Sequence, residues 1–274
     1  MAIEAPYPEL EELVTSIGEA GRRVLEIGAS EGAAGNISIF LGWPIDPRRR
    51  FPDVESIQLP NKVPGLANSS LLITGSGRRL REIIDDPTCN LGFWVIDETG
   101  ETGKLYSSPR RLYAKLTSEL NSHLAIHEDL VNRTGTNYHA LVHAQPPYLT
   151  YLSHTSIYQD EYFLNTHLLR WQPEAIVNLP EGIGVVPFQV PGSPELMEGT
   201  LWGLRHHNVV VWAKHGLISR SDISVKRATD RIEYAETAAH YEYMNLVNHN
   251  LAEGLSAEEI REICKRLGIV QSIY

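Results

Sequence analysis

Residues 138–145 constrain this chain more than any other stretch, because they read as a buried strand that ends in polar side chains. Successive side chains of a strand point to opposite faces, so His143 and Gln145 emerge together from one face. The run 209–216 repeats this design, since its valines lead to His215 and a glycine turn. The two strand ends therefore offer two imidazoles and an amide, and imidazole is the commonest side-chain metal ligand.

A carboxylate is added by the sequence Thr117-Ser118-Glu119 at the start of an apolar-periodic helix. Taken alone, this motif could be only a helix cap, and a single strand-end histidine is more often a hydrogen-bonded residue than a ligand. His123 and His127 follow Glu119 at i+4 and i+8, so they share its helix face. They could extend a metal site, but a polar or intersubunit helix face is the favoured interpretation.

Two glycine-containing turns are candidates for binding an anion. Residues 71–77 read as a buried strand followed by Gly75-Ser76-Gly77, with a helix predicted over 78–84. Such a turn suits a phosphate, because glycine lets the backbone approach, serine donates and a helix N-terminus adds positive potential. The alternative is a tight strand-to-helix turn, and the residues support both equally. A similar turn ends at Asn36, where a plain loop is favoured.

The charge balance excludes several classes of partner. The chain has 24 basic and 34 acidic residues, for a net charge of −10. Nucleic acids and anionic membranes need a basic surface, so neither is an expected partner.

The sequence contains no signal-peptide pattern and no apolar run of about 18 residues. Its two cysteines, Cys89 and Cys264, lie far apart and form no CxxC motif. We therefore expect a reduced, cytoplasmic protein that holds any anionic substrate with local donors.

The order of helical and strand patterns predicts an α/β fold with three α/β/α layers. No linker-like composition divides the chain, so residues 1–274 are expected to form a single domain. Several neighbouring strands lack helical crossovers, which predicts a central sheet that is mainly antiparallel or mixed. Helices are predicted over 9–27, 160–171, 194–206, 222–248 and 256–267, and strand segments over 174–179 and 183–190.

The number and order of these motifs resemble the class II aldolase/adducin family. The resemblance runs from about Gly35 to Gly268 and is densest at 66–68, 73–77, 86–92, 117–120, 180–184, 190–192 and 215–216. It implies a class II aldolase-like fold, a zinc-dependent aldehyde-lyase and a homotetramer with sites at subunit interfaces.

The resemblance also implies roles for individual residues. In this family zinc binds two histidines of an H-x-H strand and one of a later H-G pair. His143 and His215 would then be zinc ligands, Gln145 would stand at the third ligand position, and Glu119 would be the general base that exchanges the proton of an enediolate. The phosphate of the substrate would be bound by Asn36, Gly75, Ser76, Thr117 and Ser118.

Gln145 departs from the family pattern, which has a histidine at that position. An amide oxygen is a poorer zinc donor than imidazole. His139 cannot replace it by simple register, since four residues along a strand span about 13 Å. Four alternatives stay open: Gln145 ligates weakly, Glu119 completes the shell, another histidine reaches in, or the metal is lost.

The expected reaction is reversible cleavage of L-rhamnulose 1-phosphate to dihydroxyacetone phosphate and L-lactaldehyde, a step of rhamnose metabolism. Family members with that activity have an acid after the tryptophan that corresponds to Trp171, and this acid reaches the neighbouring subunit's site; here Gln172 follows. One alternative is a related aldolase or epimerase acting on another sugar phosphate. Another is a non-catalytic binding or structural protein on the aldolase scaffold, which Gln145 and Gln172 motivate.

Overall fold

The structure, a computed structural model, describes residues 2–274 and is built around one nine-stranded sheet. Its strands are β1 (Asn36–Leu41), β2 (Asp53–Gln58), β3 (Ser70–Thr74), β4 (Leu91–Ile96), β5 (Thr102–Ser107), β6 (Tyr138–Ala144), β7 (Ile183–Val186), β8 (Val209–Trp212) and β9 (Gly216–Ser221). The strand order is β2-β5-β4-β3-β1-β6-β9-β8-β7. Only β7 and β8 pair in parallel among these neighbours, so the predicted mixed, mainly antiparallel sheet is confirmed.

Helices cover both faces of the sheet. They are α1 (Leu10–Glu26), α2 (Pro87–Asn90), α3 (Leu120–Thr134), α4 (Pro147–Leu152), α5 (Glu161–Leu168), α6 (Pro173–Asn178), α7 (Pro194–His206), α8 (Val225–Val247) and α9 (Ala257–Leu267). The apolar sides of α1 and α8 pack on one face, and those of α3 and α7 pack on the other. The three-layer α/β/α architecture is therefore confirmed. None of the helices in the described part of the chain combines the length and apolar character needed to span a bilayer.

The central strands are buried along their whole length. All six residues of β1 and all seven of β6 are buried, because helices cover both of their faces. Every second side chain of these strands faces α1 and α8, and all of these are buried in the same apolar cluster, namely Ile37, Ile39, Leu41, Tyr138, Ala140, Val142 and Ala144. On the side of α3, the same strands carry polar groups among the apolar ones, namely Asn36, Ser38, His139 and His143.

Two secondary-structure predictions are wrong. Residues 174–179 form the helix α6 rather than a strand, and the helix predicted over 78–84 is only a 3-10 turn, Leu80–Glu82. Pro173 at the first helical position, with Glu174 in the first turn, is a helix-start signal. A short apolar run between such signals has no periodicity that separates a buried helix from a strand.

The end of β6 that carries Gln145 is anchored by a buried carboxylate of α8. Glu236 is 6% exposed, and its oxygens accept hydrogen bonds from the backbone N–H groups of Tyr148 at 2.9 Å and Leu149 at 3.0 Å. These donors lie in the first turn of α4. Burial raises the pKa of Glu236 to about 7, against the two hydrogen bonds, which lower it.

This anchor is expected to make stability depend on pH. The raised pKa means that the folded protein binds the Glu236 proton more tightly than the unfolded chain does. The resulting stabilisation is complete below pH 4.5 and is lost as the pH rises to about 7. Glu236→Gln removes the titration, so we expect the fall in unfolding free energy over this interval to shrink by up to about 3 kcal/mol.

Urea denaturation of both proteins across this pH interval measures the effect. Glu258→Gln, at an exposed position on α9, is the matched control and should keep the wild-type slope. An unchanged slope in Glu236→Gln would show that the carboxyl does not titrate in this interval.

Candidate active site

One cavity of about 210 Å³ at the rim of the sheet is lined by all nine residues that the sequence singled out. Two of these stand on β1 and β6, and the rest stand in the loops that join strands and helices nearby. The nine are Asn36, Gly75, Ser76, Thr117, Ser118, Glu119, His143, Gln145 and His215. The structure brings these residues together, while their individual roles stay predictions.

Strand pairing places the polar side chains side by side. Asn36, the first residue of β1, lies directly opposite His143 of β6, so both side chains leave the same face. β9 is the other neighbour of β6, and the turn before it carries His215. Gly216 is required there, because a Cβ atom would lie 2.4 Å from the carbonyl oxygen of Ala144.

The opposite wall presents neutral donors. The loop after β3 pairs with the segment before α3: the Ser76 N–H donates to the Lys115 carbonyl at 2.9 Å, and the Thr117 N–H donates to the Thr74 carbonyl at 3.1 Å. Gly75 is needed for this contact, because a Cβ atom would lie 2.2 Å from the Tyr113 ring. No described residue lining the cavity is a lysine or an arginine.

This wall differs from the predicted anion site in its donors. The N–H groups of Gly75 and Ser76 donate within the protein, and only the short 3-10 turn Leu80–Glu82 follows them, so no α-helix begins at this turn. In the part of the chain that the structure describes, the hydroxyl groups of Ser76 and Ser118 have no protein hydrogen-bond partner. These two hydroxyl groups are free to donate to a ligand.

Two imidazoles and one carboxylate converge at the floor of the cavity. One Glu119 oxygen lies 3.8 Å from His143 Nε2, and the other lies 3.8 Å from His215 Nε2. The three ligand atoms lie within 4.8 Å of one another. A tetrahedral metal site with bonds of about 2.1 Å separates its donors by about 3.4 Å. The three residues therefore fit a divalent metal after small side-chain adjustments.

The protonation states of this cluster suit metal binding. His143 Nδ1 donates to the Leu217 carbonyl at 2.8 Å, which leaves the lone pair on Nε2 facing the cavity. Burial raises the pKa of Glu119, but His143, the hydrogen bond from Asn36, His123 and His215 outweigh it, so the pKa lies below the usual range. Burial and the neighbouring His143 lower the pKa of His215, which keeps its imidazole neutral. An ionised carboxylate and neutral imidazoles are the forms that ligate metals.

Gln145 and Gln172, which depart from the family pattern, lie in different places. Gln145 follows the last residue of β6 and lines the cavity beside His143. Gln172 precedes the first residue of α6, and its neighbour Trp171 donates from Nε1 to Glu242 at 2.9 Å. Neither Trp171 nor Gln172 lines the cavity among the residues the structure describes.

The favoured interpretation of His123 and His127 is wrong. Neither side chain has any exposed surface, because the face of α3 that carries them packs against the sheet. The two histidines are therefore not available to solvent or to a neighbouring subunit. His123 Nε2 lies 2.5 Å from Asn36 Oδ1, and Asn36 Nδ2 donates to Glu119 at 2.7 Å. Their spacings of four and eight residues from Glu119 were the only sequence signal for this network.

Comparison with known proteins identifies the family. The family model described as Class II Aldolase and Adducin N-terminal domain matches residues 15–243. A rhamnulose-1-phosphate aldolase of Bacteroides thetaiotaomicron is 27% identical over 93% of this chain and 94% of its own length, and one of Enterobacter sp. is 28% identical over 78% and 76%.

Solved structures agree with this assignment. The crystal structure of a sugar-phosphate aldolase from Thermotoga maritima is 28% identical, with a TM-score of 0.73 over 87% of this chain and 97% of that one. An L-fuculose 1-phosphate aldolase, 18% identical, has a TM-score of 0.58 over 97% of this chain and all of its own, which shows a shared fold. This chain belongs to the class II aldolase and adducin N-terminal domain family.

Proposed function

We propose that this protein is a metal-dependent aldolase that reversibly cleaves L-rhamnulose 1-phosphate to dihydroxyacetone phosphate and L-lactaldehyde. The observation that carries the proposal is the convergence of Glu119 on His143 and His215 at 3.8 Å, in a cavity whose other wall presents free hydroxyl groups. Relatives named for this activity match the chain over most of its length, which supports this substrate.

Three residues of the cavity are proposed to hold the metal. A divalent metal, zinc in this proposal, would be held by His143 and His215 with Gln145, and it would stabilise negative charge on the carbonyl and hydroxyl oxygens of the substrate. Glu119 lies near enough to complete this ligand set when no substrate is bound.

In the proposed reaction, Glu119 transfers the proton of C3. Cleavage of the C3–C4 bond would leave its electron pair on C3, as the enediolate of dihydroxyacetone phosphate, while the C4 hydroxyl group loses its proton and C4 becomes the aldehyde carbon. Glu119 would take up that hydroxyl proton and deliver it to C3, and the reverse reaction would begin with Glu119 removing the proton from C3. The hydroxyl groups of Ser76, Thr117 and Ser118 would hold the phosphate as neutral donors, which suits an acidic protein, and Asn36 and Gly75 would line the same site.

The proposal includes a homotetramer, as the family resemblance implies.

A second candidate function is a non-catalytic binding protein with the same fold. Gln145 favours it, because an amide lines the cavity where the family has an imidazole. Such a protein would bind a sugar phosphate without a stoichiometric metal.

Turnover tests the proposal directly. Purified protein, freed of metal with a chelator, is expected to release dihydroxyacetone phosphate from L-rhamnulose 1-phosphate only after zinc is added, because the chelator leaves His143 and His215 without a metal ion. Reduction of the released dihydroxyacetone phosphate in a coupled enzyme assay measures the rate. Absence of turnover with zinc, manganese or cobalt, together with no bound metal, would support the second candidate instead.

Glu119→Gln tests the general base. The amide cannot take a proton, so we expect exchange of the reacting proton of dihydroxyacetone phosphate with deuterated water to fall by about 10³-fold. Metal content, measured by elemental analysis, should stay unchanged because His143, His215 and Gln145 remain. Exchange at the wild-type rate would remove Glu119 as the base, and loss of the metal would make it an essential ligand.

Gln145→His tests the third ligand. The substitution restores the H-x-H pattern of the family, so we expect zinc affinity to rise at least about tenfold, because loss of even a residue that only orients a metal ligand lowers metal affinity by about 10- to 100-fold. Competition with a fluorescent chelator measures the affinity. Gln58→His, at an exposed position on β2, is the control. Equal affinity in wild type and Gln145→His would show that residue 145 does not face the metal.

A further inference from the structure

A buried row of polar side chains leads away from Glu119 between α3 and the sheet. Its members come from α3 (His123, His127), from β1 (Asn36, Ser38) and from β6 (His139). Of these, Ser38 and the three histidines have no exposed surface, and Asn36 is 7% exposed. We call Asn36, Ser38, His123, His127 and His139 the histidine row.

Each member of the row is hydrogen-bonded to the next. The distances are 2.7 Å from Asn36 Nδ2 to Glu119, 2.5 Å from His123 Nε2 to Asn36 Oδ1, and 2.6 Å from His123 Nδ1 to Ser38 Oγ. Ser38 Oγ lies 2.8 Å from His127 Nε2, and the Nδ1 atoms of His127 and His139 are 2.9 Å apart. The row ends at His139 Nε2, which has no partner among the described residues.

The orientation of the Asn36 amide sets the direction of the first two hydrogen bonds. Its nitrogen donates to Glu119 at 2.7 Å, and its oxygen lies 2.5 Å from His123 Nε2. An amide oxygen only accepts, so the proton of His123 must lie on Nε2.

Neutral imidazoles carry this direction along the rest of the row. Burial lowers the pKa of His123 to about 4, and it lowers the pKa of His127 and His139 well below the usual value. A neutral imidazole has one N–H, so His123 Nδ1 accepts from the Ser38 hydroxyl, and Ser38 in turn accepts from His127 Nε2. His127 Nδ1 then accepts from His139 Nδ1. Every proton of the row points toward Glu119.

Packing does not require these polar side chains. The same face of the sheet holds two apolar clusters, one including Leu124 and the other including Ile126 and Leu141, and the row lies close to both. Buried polar networks are often no more stabilising than apolar side chains of the same volume. The row makes a hydrogen-bonded connection to one group with chemistry to perform, the carboxylate of Glu119.

We propose that the histidine row positions Glu119, with His123 as the positioning residue. Its Nε2–H holds the Asn36 amide in one orientation, and that amide holds the carboxylate with one oxygen toward each of His143 and His215. The kinetic consequence rests on the proton-transfer role of Glu119 proposed above, whereas the direction of the row does not.

Tautomers measured in the wild-type protein test the direction without any assay of activity. Nitrogen chemical shifts of labelled imidazoles distinguish Nδ1–H from Nε2–H. We expect Nε2–H for His123 and His127 and Nδ1–H for His139, assigned by the loss of each signal in a single variant. Nδ1–H at His123 would overturn the proposal, whether or not the protein proves to be an aldolase.

Variants of His123 test the positioning role. His123→Leu removes the donor to Asn36, so we expect proton exchange on dihydroxyacetone phosphate to slow by about tenfold or more, the equivalent of one hydrogen bond, with KM changed less than twofold. His123→Gln can still donate to Asn36 and should recover most of the rate. His206→Gln, at an exposed position on α7, is the control.

The pattern of rates separates positioning from damage to the fold. Equal slowing in His123→Leu and His123→Gln, or a rise in KM that matches the loss in rate, would refute positioning by this hydrogen bond. Absence of exchange in the wild type would refute the proposed function and leave the tautomer result to decide the direction of the row.

Discussion

The antiparallel pairing of β1 with β6 is the contact on which both the site and the histidine row depend. Its register sets Asn36 opposite His143 and Phe40 opposite His139, so alternate residues of two strands line one face under α3. A shift of one residue in either strand would turn these side chains toward α1 and α8. The apolar residues on the other face, such as Ile37 and Val142, oppose such a shift because they would lose their burial.

The site keeps a carboxylate ionised while excluding most water from it. Glu119 is 4% exposed, and burial of an unpaired carboxylate is costly. The Asn36 amide and the nearby imidazoles offset that cost, which is why the pKa of Glu119 stays low although burial alone would raise it. The same neighbours orient the carboxylate. The same contacts therefore compensate the buried charge and fix the orientation of the carboxylate.

The proposed anionic ligand would be bound by local neutral groups, although the chain is acidic. The protein carries a net charge of −10, yet the lining of the cavity combines histidines, hydroxyl groups and amides with a single carboxylate. Because these donors are neutral, no lysine lies in the described lining to form an ion pair with Glu119. Gln145 lies on the same side of the cavity as His143, so the departure from the family pattern concerns the proposed ligand set and not the hydroxyl wall.

Much of this protein was predictable from local patterns. The valine-rich strands, the family motifs and the nine cavity residues all have signals that span a few positions. The helix α6 was predicted as a strand, because a short apolar run has no periodicity that separates the two. The 3-10 turn Leu80–Glu82 was predicted as a longer helix, because the residues after a glycine turn do not show by themselves how far a helix extends.

The sequence by itself determined the layer architecture, the family and the set of polar residues that meet in the cavity. Tertiary structure decided that His123 and His127 face the sheet and that their hydrogen bonds run through Ser38 to His139. Spacing along α3 shows which residues share a helix face, but it does not show what that face packs against. That depends on strand order and register, which join residues more than eighty positions apart.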